Sequence, residues 1–448
     1  MFVCEQLAEF ALEVSAQPEA QWPRAALQRV MKDWFGCAIA GAQSEVVVRL
    51  RLALGASPDS VVASTSMLSP RDAAMLHATA AHALESDDIY RDGLFHPGAP
   101  VIGAALALAE HRDASGRDLL RAVLVGYEVS TRLSEFLGTA HYRYWHTTGT
   151  VGCLGAAAAC ATLLGGDAAM MAHALATAAS FAGGLQQAFR STAMTKPMHA
   201  GHAADTGVWS ALAAHRGMTG ALDILEGRAG LGAAMAGSPD WSRFGERFDD
   251  SFRIEQITFK RHACCGQVFS AVDAVLALRA DPGFDPEQIT SIEVYTSQRS
   301  QEMTDKPTPR DAEEARFSMQ YAVAHAAVSG HAGRGAFAAE RLGNPLVKRL
   351  MAAVNVAVDA EIDAAYPRRR SARVTVGFRD GARHTHFQAD RKGDPELPLS
   401  DGELDAKFAS LCFDAGWSNQ RVEKARRLLA ELASSRSCRA WLESVREG

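Results

Sequence analysis

The sequence has no apolar run of the eighteen or so residues that a bilayer-spanning helix needs. Stretches that approach this length are interrupted by Glu110, Asp167 or His173, so no membrane partner is expected. It also has no long Lys/Arg block. With 52 acidic and 46 basic residues the formal charge is −6, which disfavours nucleic-acid binding. Aromatics make up only 7%. Cysteine is sparse: Cys4, Cys37, Cys153, Cys160, Cys264, Cys265, Cys412 and Cys438 are the eight, and four lie in apolar helical text. They read as buried, reduced thiols rather than a disulfide framework. The opening MFVCEQLAEFALE carries Glu5 and Glu9 where a secretory signal would carry positive charge and then an apolar stretch. It reads as an amphipathic helix, and a cytoplasmic location is expected. The usual cofactor signatures are absent too: there is no Walker A sequence, no GxGxxG after a strand and no GxSxG elbow.

What the sequence has in abundance is alanine, as in GAAAACATLLGG (155–166) and AAMMAHALATAASFAGG (168–184). Alanine favours helix and lets helices approach closely, which excludes an all-β fold. An apolar fraction of 48% excludes a disordered chain. From residue 5 to about 260 the text reads as almost wholly helical, with periodic segments near 22–40, 71–87, 98–112, 117–136, 149–164, 167–184 and 198–215. Start and stop signals lie at Ser69-Pro70, at Asp113 to Gly116 and at Gly165-Gly166-Asp167. Strand-like alternation then appears at 289–297, 372–380 and 383–390, with helical segments at 313–330 and 344–354 between. The expected fold is mainly α: a large helical domain built from both chain ends (1–261 and 397–448), with a smaller α+β domain inserted at 262–396.

Polar residues embedded in this apolar text are the candidates for chemistry. Asp87 and Asp88 close HALESDDIY, His96 opens LFHPGAP, His146 sits in YRYWHTTGTVG, and Lys196 and His199 lie in TAMTKPMHAGHAAD. Lys260 and Arg261 fall in FKRHACCGQ, and Tyr321 in ARFSMQY. Several stand where a helix begins, and free N–H groups there suit anionic ligands. With Lys196, Lys260 and Arg261 they make a plausible cationic pocket for carboxylates, and His and Tyr beside Lys suit proton transfer. Metal binding is disfavoured. His199 with His202 share a helix face without an HExxH, His384 with His386 share a strand face, and Cys264 with Cys265 are adjacent.

At these residues the chain resembles the MmgE/PrpD family over nearly its whole length. The resemblance rests on HALESDDIYRDGLFHPGAPVIGAALALAE (82–110), GYEVSTRL (126–133), YWHTTGTVGCLGAAAACATLLG (144–165) and TKPMHAGHAADTGVWSALAA (195–214). It extends to GALDILEG (220–227), KRHACC (260–265) and ARFSMQYAVA (315–324). Family members include 2-methylcitrate dehydratase, cis-aconitate decarboxylase and iminodisuccinate epimerase. The resemblance implies a helical domain with a smaller α+β lid, a homodimer, and catalysis without metal or organic cofactor on a small di- or tricarboxylate. It implies a site in which His146, Lys196, Tyr321, His96 and Asp88 are catalytic, while Lys260, Arg261, Glu85, Asp87, Gln320 and Cys265 bind substrate.

Two departures bear on the reaction. The dehydratases and decarboxylases resemble one another in an Asp-aromatic-Asp/Asn-Asp/Asn-Thr run, where this chain has Glu85-Ser86-Asp87-Asp88-Ile89, and Cys265 replaces a decarboxylase-like histidine. On these grounds the reading favours proton transfer at the α-carbon of a dicarboxylate, epimerisation of an iminodisuccinate-type substrate. Dehydratase or decarboxylase lyase chemistry is the alternative, and a catalytically inactive anion-binding protein the second alternative.

Overall fold

The computed structural model describes residues 1–56, 68–191 and 193–447. It divides into two compact units, Met1–Thr258 with Asp401–Gly448, and Phe259–Ser400. The protein is mainly α, with one small sheet.

In the first unit the main helices are α1 (Val3–Ala16), α2 (Arg24–Gly41), α3 (Pro70–His82), α4 (Gly98–Arg112), α5 (Gly116–Tyr142), α6 (Gly152–Leu163), α7 (Ala168–Ser180) and α8 (Thr195–His215). The sequence signals explain where three of them start. Ser69, Ser115 and Asp167 each cap a helix, accepting from the backbone N–H of Asp72, Asp118 and Met170 at 3.2, 3.1 and 2.9 Å, and Pro70 occupies the first turn of α3. The alanine and glycine content acts through packing. A Cβ on Gly126 of α5 would lie 2.5 Å from Val101 Cγ1 and 2.8 Å from the Gly155 carbonyl oxygen, so α4, α5 and α6 meet almost backbone to backbone. The chain returns at Asp401–Asp414, Asn419–Ala430 and Cys438–Arg446 to complete this unit.

Two stretches differ from the sequence reading. The helix expected over 71–87 stops at His82, and the acidic run that follows is a turn in which Glu85 has φ 55°. Residues 216–258, expected to be helical, hold one short α-helix (Leu231–Met235) and 3₁₀ turns. Glycines at 217, 220, 227, 230, 232 and 237 make a long helix there costly.

The second unit carries a four-stranded sheet of order β2-β1-β3-β4, with β1 at Ile289–Thr296, β2 at Val354–Val358, β3 at Ala372–Phe378 and β4 at Arg383–Gln388. β1 pairs with β2 in parallel and with β3 antiparallel, placing Ile292 opposite Val376 and Val294 opposite Val374. Those side chains join Phe269, Val272, Met319, Val323 and Leu350, from helices on the sheet, in one buried core. β2 was not expected. It is five residues long and follows directly on the helix Pro345–Ala353, so its alternation is too brief to register. All eight cysteines are buried, free thiols. No helix among the described residues is long and apolar enough to cross a membrane.

Candidate active site

In the first unit the structure gathers Glu85, Asp87, Asp88, His96, His146 and Lys196 around His199, a sequence candidate without a role, and His82, which the sequence did not single out. His82 is the last residue of α3, and the turn beyond it swings Asp87 back so that its Oδ2 lies 2.6 Å from His82 Nδ1 and 3.3 Å from His96 Nδ1. The rings of His82 and His96 are 4.9 Å apart, edge to face. His146 stacks on His82 at 5.4 Å, and its Nδ1 lies 3.1 Å from Nδ1 of His199. Phe189 closes the edge of His146 at 4.7 Å, and Lys196 Nζ sits 5.2 Å from the same phenyl ring while pairing with Glu85.

Electrostatics divide these groups by role. Burial alone would raise the Asp87 carboxyl, but the facing imidazoles of His82 and His96, with the hydrogen bond from His82, hold it well below the usual carboxylate range. Burial also lowers His82 to about 4, so this residue is a neutral imidazole whose Nδ1–H donates to an ionised Asp87. Its Nε2 is buried without a hydrogen-bond partner among the described residues. His146 is pushed well down by burial and then by the neighbouring His82 and His199, while His199 falls to about 4 for the same first reason. His82, His146 and His199 are therefore neutral imidazoles near the Asp87 carboxylate, while Lys196 pairs with the second carboxylate, Glu85.

Asp88 is different. Burial first, then the charges of Asp87 and Asp33, raise it to about 7, against the opposing hydrogen bond from Tyr127. The Tyr127 hydroxyl donates to Oδ2 at 2.8 Å and the Gly98 N–H, at the start of α4, donates to Oδ1 at 3.1 Å. The GYEVSTRL segment thus has a definite use: Tyr127 holds Asp88, while Glu128 pairs with Arg132 and accepts from the N–H groups of Arg253 and Ile254 at 3.1 and 2.9 Å. The acidic turn is also fixed by Lys407 of the returning helix Asp401–Asp414, which donates to Asp33 at 2.5 Å and to the Ser86 carbonyl at 2.6 Å. Neither partner is near in sequence, and no local pattern could have shown them.

His82, Asp87 and His96 place potential metal-ligand atoms within 4.8 Å of one another, a trio the sequence reading did not weigh. In this arrangement both rings are turned on Asp87 itself, His82 as its hydrogen-bonded partner and His96 with Nδ1 at 3.3 Å. His199 and His202, weighed as a pair, face apart: His199 meets His146, and His202 Nε2 lies 3.2 Å from the Phe181 carbonyl.

Lys260, Arg261, Cys265, Gln320 and Tyr321 belong to the second unit. There Lys260 and Cys265 are buried, Arg261 is exposed with a guanidinium nitrogen 3.6 Å from Asp273, and Gln320 donates to Asp305 at 2.6 Å. The Tyr321 hydroxyl donates to the Ala336 carbonyl, and burial pushes it up to about 12.

Residues 5–243 match the MmgE/PrpD N-terminal domain and residues 262–432 the MmgE/PrpD C-terminal domain. The chain belongs to the MmgE/PrpD family. Relatives within this family are enzymes. It is 29% identical over 356 residues to cis-aconitate decarboxylase of Homo sapiens, covering 76% of this chain and 72% of that protein. To the Mus musculus cis-aconitate decarboxylase it is 28% identical over 375 residues, covering 78% and 74%. A cis-aconitate decarboxylase-like protein, oryM, of Aspergillus oryzae (strain ATCC 42149 / RIB 40) is 26% identical over 393 residues, covering 82% and 81%. These MmgE/PrpD relatives agree with the lyase alternative better than with the epimerase reading drawn from Glu85, Ile89 and Cys265.

Proposed function

We propose that this MmgE/PrpD protein is a carbon–carbon lyase that releases carbon dioxide from a small unsaturated tricarboxylate of the cis-aconitate type. The observation carrying this reading is the buried cluster of neutral imidazoles beside Lys196, in a chain whose relatives are cis-aconitate decarboxylases. Breaking the bond to a carboxylate leaves an electron pair on carbon, delocalised toward a remaining carboxylate. Fixed donors and cations in a water-poor site stabilise that charge most effectively. Lys196 and His96, both half-buried, are assigned to the substrate carboxylates. His146, buried and neutral, is the proton donor: its N–H completes the reaction by protonating the carbanion, so one proton is consumed for each carbon dioxide released. Asp87 orients His82 and His96, and Asp88 is the second, protonatable carboxyl. For Lys260, Arg261, Cys265, Gln320 and Tyr321, the support is the resemblance of their segments to the family.

A second reading is epimerisation of an iminodisuccinate-type dicarboxylate. One observation favours it: Lys196 is already paired with Glu85, which leaves less positive charge for a third substrate carboxylate. Incubation in deuterium oxide with cis-aconitate and with dicarboxylate candidates separates the two. Carbon dioxide release with one deuterium on the product supports the lyase. Deuterium at the α-carbon with inversion and every carboxylate retained replaces it with the epimerase.

A further inference from the structure

We infer that His199 is the positioning partner of His146, a relay residue that sets its tautomer and carries its proton to and from solvent. The inference rests on the proton-donor role of His146 proposed above. Its starting point is the Nδ1-to-Nδ1 separation of 3.1 Å. Two lone pairs cannot face each other at that distance, and neither can two N–H groups. One proton must lie between the rings, so the two tautomers are complementary: when His199 carries its proton on Nδ1, His146 carries its own on Nε2.

The surroundings hold this pairing in register. The Gly184 carbonyl accepts from the His146 backbone N–H at 2.8 Å, and the same glycine leaves room for the other ring. A Cβ at Gly184 would stand 3.2 Å from Cγ and Nδ1 of His199, and its φ of 128° disfavours any side chain. Gly149, beneath His199, would place a Cβ 3.2 Å from the His199 Cβ and 2.3 Å from the Gly183 carbonyl oxygen. Two backbone approaches are thus kept bare where the imidazole of His199 lies.

Burial gives the pair its use. His146 is 2% exposed and enclosed by His82, Phe189 and His199, whereas His199 is only half-buried. If His146 gave up its Nε2 proton alone it would become an imidazolate in a dry site, an unfavourable charge. With His199 beside it, His146 Nε2–H protonates the carbanion while the Nδ1–H of His199 passes to Nδ1 of His146. Solvent supplies a proton to Nε2 of His199. Each ring gains one proton and loses one, and both stay neutral throughout. The reverse exchange after product release, with a proton entering at His146 Nε2 and leaving from His199 Nε2, restores the starting tautomers.

The test uses His199→Asn in the full chain, because the Asn amide can still donate to His146 Nδ1 but cannot relay. With cis-aconitate as substrate, kcat should fall about 100-fold with KM nearly unchanged. The dependence of kcat on the deuterium fraction of the solvent should change from curved, for several protons in flight, to linear. Wild-type kcat together with an unchanged curve in His199→Asn overturns the relay. Gly184→Ala, which displaces His199 without removing any titrating group, should lower kcat in the same direction, and full activity there also overturns it. If the wild type releases no carbon dioxide from cis-aconitate, the lyase reading fails, and the pairing is judged separately by ¹⁵N NMR of histidine-labelled protein. One protonated Nδ1 in this pair, lost or moved in His199→Asn, supports the complementary tautomers; two rings protonated only on Nε2 refute them.

Discussion

Glu85 pairs with Lys196 from a backbone position whose φ is 55°, in the turn that follows α3. A left-handed conformation costs a residue with a side chain about 1–2 kcal/mol, so the surroundings must hold it. They do: Ser86, the next residue, is buried with its carbonyl accepting from Lys407, and Asp87 is tied to His82. The turn thus aims one carboxylate at the histidines and another at the lysine, and the charge of Lys196 is partly neutralised before any substrate arrives.

Shortening that carboxylate should therefore change which substrates bind. In Glu85→Asp the side chain loses one methylene and its grip on Lys196 weakens, while the charge of the turn is kept. The KM for a tricarboxylate should fall roughly tenfold, equivalent to about 1.4 kcal/mol, with kcat altered much less. Steady-state kinetics on cis-aconitate beside a dicarboxylate measures this. An unchanged ratio of the two KM values would remove Glu85 from substrate selection.

Close helix approach makes a prediction about stability alone. A Cβ on Gly207 of α8 would fall 2.3 Å from the Ala156 Cβ and 2.7 Å from the Ala157 backbone nitrogen on α6. Gly207→Ala should improve helix propensity by up to about 1 kcal/mol, yet overpacking costs about 1–3 kcal/mol and the helices must separate. A lower melting temperature is expected by calorimetry. Gly245→Ala, where the added Cβ meets no packed neighbour within 4 Å among the described residues, is the control and should melt with the wild type.

Asp87 should matter through its charge more than its shape. Asp87→Asn keeps the volume but presents an amide to two imidazoles that now share an ionised oxygen. His82 and His96 lose the anionic oxygen that orients them, and kcat should drop by about 10²-fold or more, with far-UV circular dichroism unchanged. Activity within a factor of three of the wild type would show that Asp87 is only a structural acceptor.

The parts legible in the sequence were those decided within a few residues. Ser69, Ser115 and Asp167 cap helices because a cap needs only the next turn, and three of the four strands announce themselves by alternation. The strand Val354–Val358 depends on β1 as a partner and is not visible locally, whereas the glycines of the irregular 216–258 segment are a local signal against the helix expected there. The polar residues set into alanine-rich text stood out by contrast. Their partners did not: Lys407 reaches Ser86 across 321 positions, and His199 reaches His146 across 53. The reaction was least legible. Glu85 and Ile89 pointed toward epimerisation, whereas the relatives at 26–29% identity are decarboxylases and a decarboxylase-like protein.

Asp88 offers a signature readable from stability. Its carboxyl is raised from 3.8 to about 7, chiefly by burial, so between these values the folded protein holds a proton that the unfolded chain has released. Proton linkage then makes stability fall as pH rises through that window and level off above about pH 7, with a total loss on the order of 4 kcal/mol. Asn at this position does not titrate. The stability of the wild type relative to Asp88→Asn should therefore decline by roughly 2–3 kcal/mol from pH 5 to pH 7 and change little beyond pH 8. Urea unfolding of both proteins at several pH values gives this difference directly. A constant difference across the range would mean that Asp88 is already ionised at pH 5 and stays so, held by Tyr127 and the Gly98 N–H instead of being strained by Asp87.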